Sequence, residues 1–469
     1  MRIYEINARV HCSRFDQITA TELANLAQLG FDAVWLMGVW RISDGARKIS
    51  KITSADFEGS PYAVPTYEIS RELGGSGQFR RLVSRAHSAG FSVIVDFVSN
   101  HMALDSPWIS QNPDLFVRSD RSVREQSTNE FFLHRSGEIV AFGRDPYFSP
   151  WNDTAQLDYS NEASRGRMIE TLKQISRYAD GVRCDMAMLV LKECFRRLWY
   201  PLTTDSLFDQ RMPGEFWDEA IGAVKKVNPD FKFVAEAYWD KEHELRGLGF
   251  DLCYEKKLYD GLVAHDLSRV LERLRRDPAA MRGSLYFIEN HDEPRAASVF
   301  SRPDNLAALA LILTIPGSVL VHEGQMEGKH ERLPVQRIIP LTDEPTDDGL
   351  SDGYVQLLKV TSDDVFKNGD FELFDPAVYG AIGLIRKDRN RVIVYLGQIS
   401  DAWHTFNSPL MDVSSVARII GAQNQIRLTN LLNAQSSTVQ GNNGTFQLAM
   451  NQLGVDHETK FCLLEASPA

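Results

Sequence analysis

Eight short apolar runs, alternating with stretches of helical spacing, limit what this chain can fold into. They are Ile3–Val10, Ala33–Val39, Ser92–Val98, Gly181–Met186, Lys232–Tyr238, Phe250–Tyr254, Ser284–Asn290 and Ser318–His322. Short apolar runs read as strands, and strands alternating with helices call for a parallel sheet. Eight such units close an α/β (β/α)8 (TIM) barrel, which takes about 250 residues. The intervening helices carry their own boundaries. Thr19-Ala20-Thr21 supplies a cap for a helix over Thr21–Leu29, and Gly90, lacking a side chain, suits the stop of one over Gly77–Ala89.

Residues 99–180, between the third run and the fourth, are too many for a simple connection. They hold polar, proline-containing and aromatic pieces such as Asp145-Pro146-Tyr147-Phe148-Ser149-Pro150-Trp151. The sequence predicts a small subdomain inserted over 99–160 and overhanging one face of the barrel, then a helix over Glu162–Tyr178. After about Phe366 the apolar spacing changes to period two, in Gly380–Arg386, Arg391–Gln398, Gln425–Leu432, Thr445–Ala449 and Lys460–Glu465. The expected division is a barrel from 1–98 and 161–365, the insert at 99–160, and a C-terminal antiparallel β-sandwich at 366–469.

The formal charge of −12 argues against nucleic acid or an anionic membrane as the partner, since both require clustered lysine and arginine. No apolar stretch approaches the roughly 20 residues of a membrane span. A neutral polar substrate fits this balance better. The five cysteines, Cys12, Cys184, Cys194, Cys253 and Cys462, are widely spaced, odd in number and mostly set in apolar segments, as expected of reduced thiols in a cytosolic protein. The opening Met1-Arg2-Ile3-Tyr4-Glu5-Ile6-Asn7 lacks the pattern of a secretory leader, so a cytoplasmic location is expected. Oligomeric state is left open.

Three acidic signatures sit at the ends of successive apolar runs: Gly181-Val182-Arg183-Cys184-Asp185, Val234-Ala235-Glu236-Ala237 and Phe287-Ile288-Glu289-Asn290-His291-Asp292. In a parallel barrel those ends share one edge, where chemistry is done. Two carboxylates with a third as stabiliser are the equipment for breaking a glycosidic bond. Arg183 precedes Asp185 by two residues on one strand, so both face the same side and the cation should lower the pKa of Asp185. The neighbours of Glu236 offer little compensating charge, and desolvation should raise its pKa.

These signatures, with Asp96-Phe97-Val98-Ser99-Asn100-His101 and Gln156-Leu157-Asp158-Tyr159, give the chain its likeness to a known family. It resembles the alpha-amylase superfamily of retaining glycoside hydrolases and transglycosylases, over nearly its whole length. The resemblance implies Asp185 as nucleophile, Glu236 as general acid and base, and Asp292 as transition-state stabiliser. It makes His101 a hydrogen-bonding partner of the sugar at the cleavage point and Tyr62 the aromatic that stacks on that sugar, with Arg183 and His291 also binding substrate. No cofactor is required. Some relatives hold calcium between barrel and insert, which makes Asn100 and Asp158 candidate ligands.

Trp40, Trp108, Trp151 and Trp239 are candidates for lining sugar subsites. Many amylases carry Lys-His at the third and fourth positions after the nucleophile, where this chain has Met188 and Leu189, so an altered acceptor side is expected. The later segments His322–Gly328 and Arg332–Arg337 also depart from the family pattern. The implied activity is hydrolysis of short, maltodextrin-like alpha-glucans. The alternatives are transfer to a sugar or phosphate by a relative of the same family, or a catalytically silent carbohydrate-binding or transporter-associated subunit.

Overall fold

Eight strands close on themselves as a parallel barrel: Arg2–Asn7 (β1), Ala33–Met37 (β2), Ser92–Val98 (β3), Gly181–Asp185 (β4), Lys232–Ala235 (β5), Leu252–Tyr254 (β6), Ser284–Tyr286 (β7) and Ser318–His322 (β8). Their order around the barrel is β1-β8-β7-β6-β5-β4-β3-β2. These are the eight expected runs, several of them shorter at the C-terminal end. The ladder of β7 stops at Tyr286, although Phe287 and Ile288 stay buried beyond it. The computed structural model describes residues 1–120, 122, 124, 129–200, 205–338, 344–399, 410–455 and 459–469.

Side chains alternate inward and outward along each strand. Ile3, Ala33, Ile94, Val234, Leu252, Leu285 and Leu320 fill the interior as an apolar plug, distinct from the larger core between barrel and helices. On β4 the matching place belongs to Gly181, where a Cβ would meet the Lys232 carbonyl oxygen at 2.8 Å. Two residues further along, the inward positions become polar or aromatic: Glu5, Trp35, Asp96, Arg183, Glu236, Tyr254 and His322 are all within or just beyond their strands and buried. Strand register sets Glu5 beside His322 and Asp96 beside Arg183. The period of two thus carries a polar layer directly on the apolar one.

The long connection after β3 contains two small antiparallel sheets, His101–Ala103 with Thr154–Gln156 and Phe131–Leu133 with Ile139–Ala141. The helix that returns to the barrel spans Glu162–Ile175 and stops before the expected Tyr178. The C-terminal strands are Asp370–Phe374 (β9), Ala381–Lys387 (β10), Val392–Gln398 (β11), Leu410–Asp412 (β12), Gln425–Asn430 (β13), Ser436–Asn442 (β14), Thr445–Ala449 (β15) and Phe461–Pro468 (β16). They pair antiparallel in the order β9-β10-β11-β16-β13-β14-β15-β12. Between β14 and β15, Asn443 (φ 50) and Gly444 (φ 82) supply the two left-handed residues that a tight hairpin needs.

Both faces of this sheet are buried near its middle. Val394, Leu396, Leu428, Cys462 and Leu464 join a core of its own, whereas Ile382, Leu384, Ile393, Tyr395 and Leu463 join the barrel's core. The helix Arg302–Thr314 lies against the second face and is buried from Ala307 onward. Tyr395 donates its hydroxyl to the Ala307 carbonyl at 3.2 Å, Arg386 reaches that of Thr314 at 3.3 Å, and Lys460 pairs with Asp304 at 2.5 Å. All five cysteines are free thiols, and only Cys194 is partly exposed.

Candidate active site

The C-terminal edge of the barrel opens into a cleft of about 490 Å³ lined by Tyr62, His101, Trp151, Asp185, Glu236 and Asp292 among others. Asp185 ends β4, Glu236 follows the last residue of β5, and Asp292 comes from the bend after β7. Between Asp185 and the next turn the backbone takes a left-handed conformation at Met186 (φ 42), which is strained for a residue with a side chain. That kink turns the Met186 N–H onto Glu236 Oε2 at 2.7 Å. The backbone N–H of Glu236 donates to the Cys184 carbonyl at 3.1 Å, so the two acids are locked to adjacent strand ends.

Arg183 lies at the centre of the three acids. Its Nη1 donates to Asp185 Oδ1 at 2.9 Å, while Nη2 comes within 2.8 Å of Glu236 Oε2 and 4.0 Å of Asp292 Oδ2. Only the Asp185 contact has hydrogen-bond geometry; Nη2 makes none. The guanidinium packs against the rings of Trp35 and Tyr62, both at 5.2 Å, and its Nε donates to the Tyr254 hydroxyl at 3.3 Å. Glu236 therefore does have a cation beside it, contrary to the expectation from its sequence neighbours. That partner comes from the next strand.

Burial pushes Glu236 up to about 7 against the pull of Arg183, and the nearby Asp185 and Asp292 add to the rise. At neutral pH this carboxyl is poised between donating and accepting a proton. Asp185 departs from its expected direction: burial outweighs Arg183, and its pKa is raised. Directed donation from Arg183 favours the charged form of Asp185, as the Met186 N–H and the Tyr238 hydroxyl do for Glu236. Burial also works to raise Asp292, but His291, with Arg183 and Arg332, outweighs it and holds this acid at about 2.

Of the expected substrate-binding residues, Tyr62 and His101 line the cleft. Tyr62 stacks on His291 with ring centres 5.6 Å apart, and its hydroxyl lies 2.7 Å from His291 Nε2. His101 lies 5.1 Å from the Trp151 ring, and burial lowers its pKa to about 4, so it is neutral. His291 bridges Glu5 Oε1 at 2.5 Å and Asp292 Oδ2 at 2.9 Å.

Asn100 and Asp158 do not line the cleft, and their oxygens are engaged by the protein. Asn100 Oδ1 accepts from Gln156 Nε2 at 3.0 Å; Asp158 accepts from the Tyr200 hydroxyl at 2.8 Å and the Ser160 N–H at 2.9 Å. Among the described residues no group of three or more His, Cys, Asp or Glu is placed to hold a metal. Calcium takes about six to eight oxygens, more than these two residues supply.

The tryptophans divide. Trp151 and Trp239 line the cleft, whereas Trp40 is buried with its indole N–H on the Asp96 carbonyl at 2.8 Å, and Trp108 is buried with Arg167 over its ring at 4.5 Å. Met188 and Leu189 do not face the cleft, contrary to expectation. Both are buried in the short 3-10 turn Ala187–Val190, and the cleft surface there is formed by Met186. The departure from Lys-His therefore fills core and does not itself face an acceptor.

Sequence reasoning missed Glu5, Tyr238 and Tyr254. Glu5 and Tyr254 lie on inward positions of their strands, so period-two counting from Ile3 and Leu252 would have found them. Tyr238, whose hydroxyl donates to Glu236 Oε1 at 2.9 Å, follows that acid by two residues.

The alpha-amylase catalytic-domain model matches residues 18–249, and the match ends just past the Glu236 strand. The match supports membership of the alpha-amylase superfamily. It is 27% identical to the alpha-amylase MalA of Haloarcula japonica over 346 residues, covering 70% of this chain and 44% of that protein. An alpha-1,4-glucan:maltose-1-phosphate maltosyltransferase of Rhodospirillum rubrum is 26% identical over 317 residues, 65% of this chain and 41% of that protein. The chain thus spans under half the length of these relatives. Among alpha-amylase folds, the maltogenic alpha-amylase AmyB of Thermotoga neapolitana superposes with a TM-score of 0.74 at 22% identity, covering 99% of this chain and 98% of that one. An alpha-amylase of Lactobacillus plantarum gives 0.71 at 21% identity, with 99% and 98% covered.

Proposed function

We propose that this chain is a retaining glycosidase acting on short alpha-glucan oligosaccharides through a covalent glycosyl-enzyme at Asp185. The observation that carries the reading is a single guanidinium, on Arg183, shared by Asp185 at 2.9 Å and Glu236 at 2.8 Å. Two carboxyls drawn to one guanidinium suit the spacing of about 5 Å used by retaining enzymes, which leaves no room for water behind the sugar. Asp185 attacks the anomeric carbon as the glycosidic C–O bond breaks, and Glu236 gives its proton to the departing oxygen. Water then attacks that carbon, Glu236 takes its proton, and the bond to Asp185 breaks. Asp292, held ionised by His291, stabilises the positive charge that builds on the sugar in both steps.

Transfer to a second sugar is a variant of the same chemistry, favoured by the aromatic rim of the cleft. Phe148 and Trp239 line it, and Tyr147 meets Trp239 edge-on at 5.1 Å. Such faces stack on pyranose rings. Phosphate is a poorer acceptor. The described lining includes Asp145, Asp153, Asp185, Glu236 and Asp292 but no lysine or arginine, and that charge repels a dianion. The five free thiols fit a reducing compartment, which supports a cytoplasmic location. Among the described residues no helix is long and apolar enough to cross a membrane.

Incubation with a 5-fluoro-α-glucosyl fluoride tests the reading: the peptide carrying Asp185 should gain one glycosyl unit by mass. Labelling at another residue, or a beta anomer as the first product seen by proton magnetic resonance, refutes it.

A further inference from the structure

Glu5 has no part in the steps above, yet it is fully buried at the barrel's edge on β1. Its Oε1 lies 2.5 Å from His291 Nδ1, across the chain's whole catalytic region in sequence. The other ring nitrogen, Nε2, lies 2.9 Å from Asp292 Oδ2 and 2.7 Å from the Tyr62 hydroxyl. A carboxylate oxygen stands 2.5 Å from one ring nitrogen and 2.9 Å from the other, an arrangement that favours the doubly protonated ring, with Asp292 as the ion-pair partner of Nε2 and the Tyr62 hydroxyl as its hydrogen-bond partner. Glu5 Oε2 has no hydrogen-bond partner among the described residues. Its side-chain hydrogen bonding is therefore directed to His291.

We infer that Glu5 is a positioning residue that holds His291 as an imidazolium and through it keeps Asp292 ionised and aimed at the cleft. The effect on turnover rests on the glycosidase reading; the charge of His291 does not. The charged and titratable groups that face Glu5, His291 or Asp292 are Tyr62 after β2, Asp96 on β3, Arg183 and Asp185 on β4, Glu236 after β5, Tyr254 on β6, His322 next to Glu5 on β8, and Arg332. Trp35 closes one side, its ring edge-on to the imidazole at 5.3 Å. Burial alone would discharge both partners. Instead it is outweighed: His291 is held well above its ordinary value by Asp292 and Glu5, and Glu5 below its own by His291, His322 and Arg183.

Shape and charge separate cleanly in Glu5→Gln, which keeps the former and removes the latter. Histidine-selective 15N labelling of the full chain reads the ring, with the His291 signals assigned by their loss in His291→Asn. Wild type should show imidazolium nitrogens up to at least about pH 8, and Glu5→Gln should titrate lower. On an activated α-glucoside, the acidic limb of kcat/KM, set by the raised Asp185, should move up by as much as about one pH unit in Glu5→Gln, because the His291 cation also holds Asp185 down. Glu5→Asp, which keeps the charge, should recover most of that shift. A neutral His291 in wild type at about pH 7 overturns the inference even if the variants fail to fold. So does a folded Glu5→Gln protein with wild-type ring signals and limb. An imidazolium in a chain without glycosidase activity sinks the functional reading and leaves this one standing.

Discussion

Tyr238 donates its hydroxyl to Glu236 Oε1 at 2.9 Å from two residues further along the same strand end. A donor to a carboxylate favours its charged form, so Tyr238 restrains the rise that burial imposes on Glu236. Tyr238→Phe should raise the basic limb of the kcat pH profile by up to about one unit and lower kcat several-fold through looser orientation. A profile superimposable on wild type would remove Tyr238 from the proton-transfer machinery.

The roles of the two acids separate by leaving group. Glu236→Gln should lose about a hundredfold or more on maltooligosaccharides, and far less on a glycosyl fluoride, whose departure needs no proton. Asp185→Asn should fail on both. Equal loss on both substrates in Glu236→Gln would deny it the acid role.

Stability should follow the same carboxyl. Glu236 titrates near 7 when folded and near 4.5 as its reference, so between those values the native state binds more protons and stability falls as pH rises. Glu236→Gln removes this loss, and its melting temperature relative to wild type should climb from about pH 4.5 to about pH 7.5, by a margin on the order of 1 kcal/mol or more. A difference that stays flat across that range, measured calorimetrically, contradicts the raised value.

The aromatic rim should govern the leaving side. Glu236 protonates the departing oxygen, and Trp239, which lines the cleft from the same strand end and meets Tyr147, should flank the departing sugars. Trp239 is 36% exposed and Tyr147 69%. Trp239→Ala should raise KM on maltooligosaccharides several-fold, by about 1 kcal/mol of lost stacking, reduce transfer products at high substrate concentration, and spare an aryl glucoside. Unchanged transfer products would place the acceptor elsewhere.

Much of this molecule can be read from the residues, because barrel strands buried on both faces leave unmistakable apolar runs and their C-terminal ends gather the polar exceptions. The three acids stood out for that reason. The rise of Glu236 by burial was legible too, but the direction at Asp185 was not, since burial there outweighs Arg183. Met188 and Leu189 were misplaced because the 3-10 turn that tucks them inward follows the kink at Met186, and nothing local marks a left-handed methionine. The strands β9, β12 and β14 escaped because they are short, edge-like or largely exposed and carry weak alternation. Glu5 looked like one more charged residue in a strand until the barrel brought it to His291.

The C-terminal sheet shares the helix Arg302–Thr314 with the barrel, and this has a consequence for how the protein comes apart. Removing the sheet would bare Ile382's partners on the barrel and leave the carbonyls of Ala307 and Thr314 without the tyrosine and arginine that satisfy them. Neither half has a finished surface at that seam. The chain should therefore melt in one calorimetric transition, and a fragment ending near residue 365 should aggregate instead of retaining a working cleft.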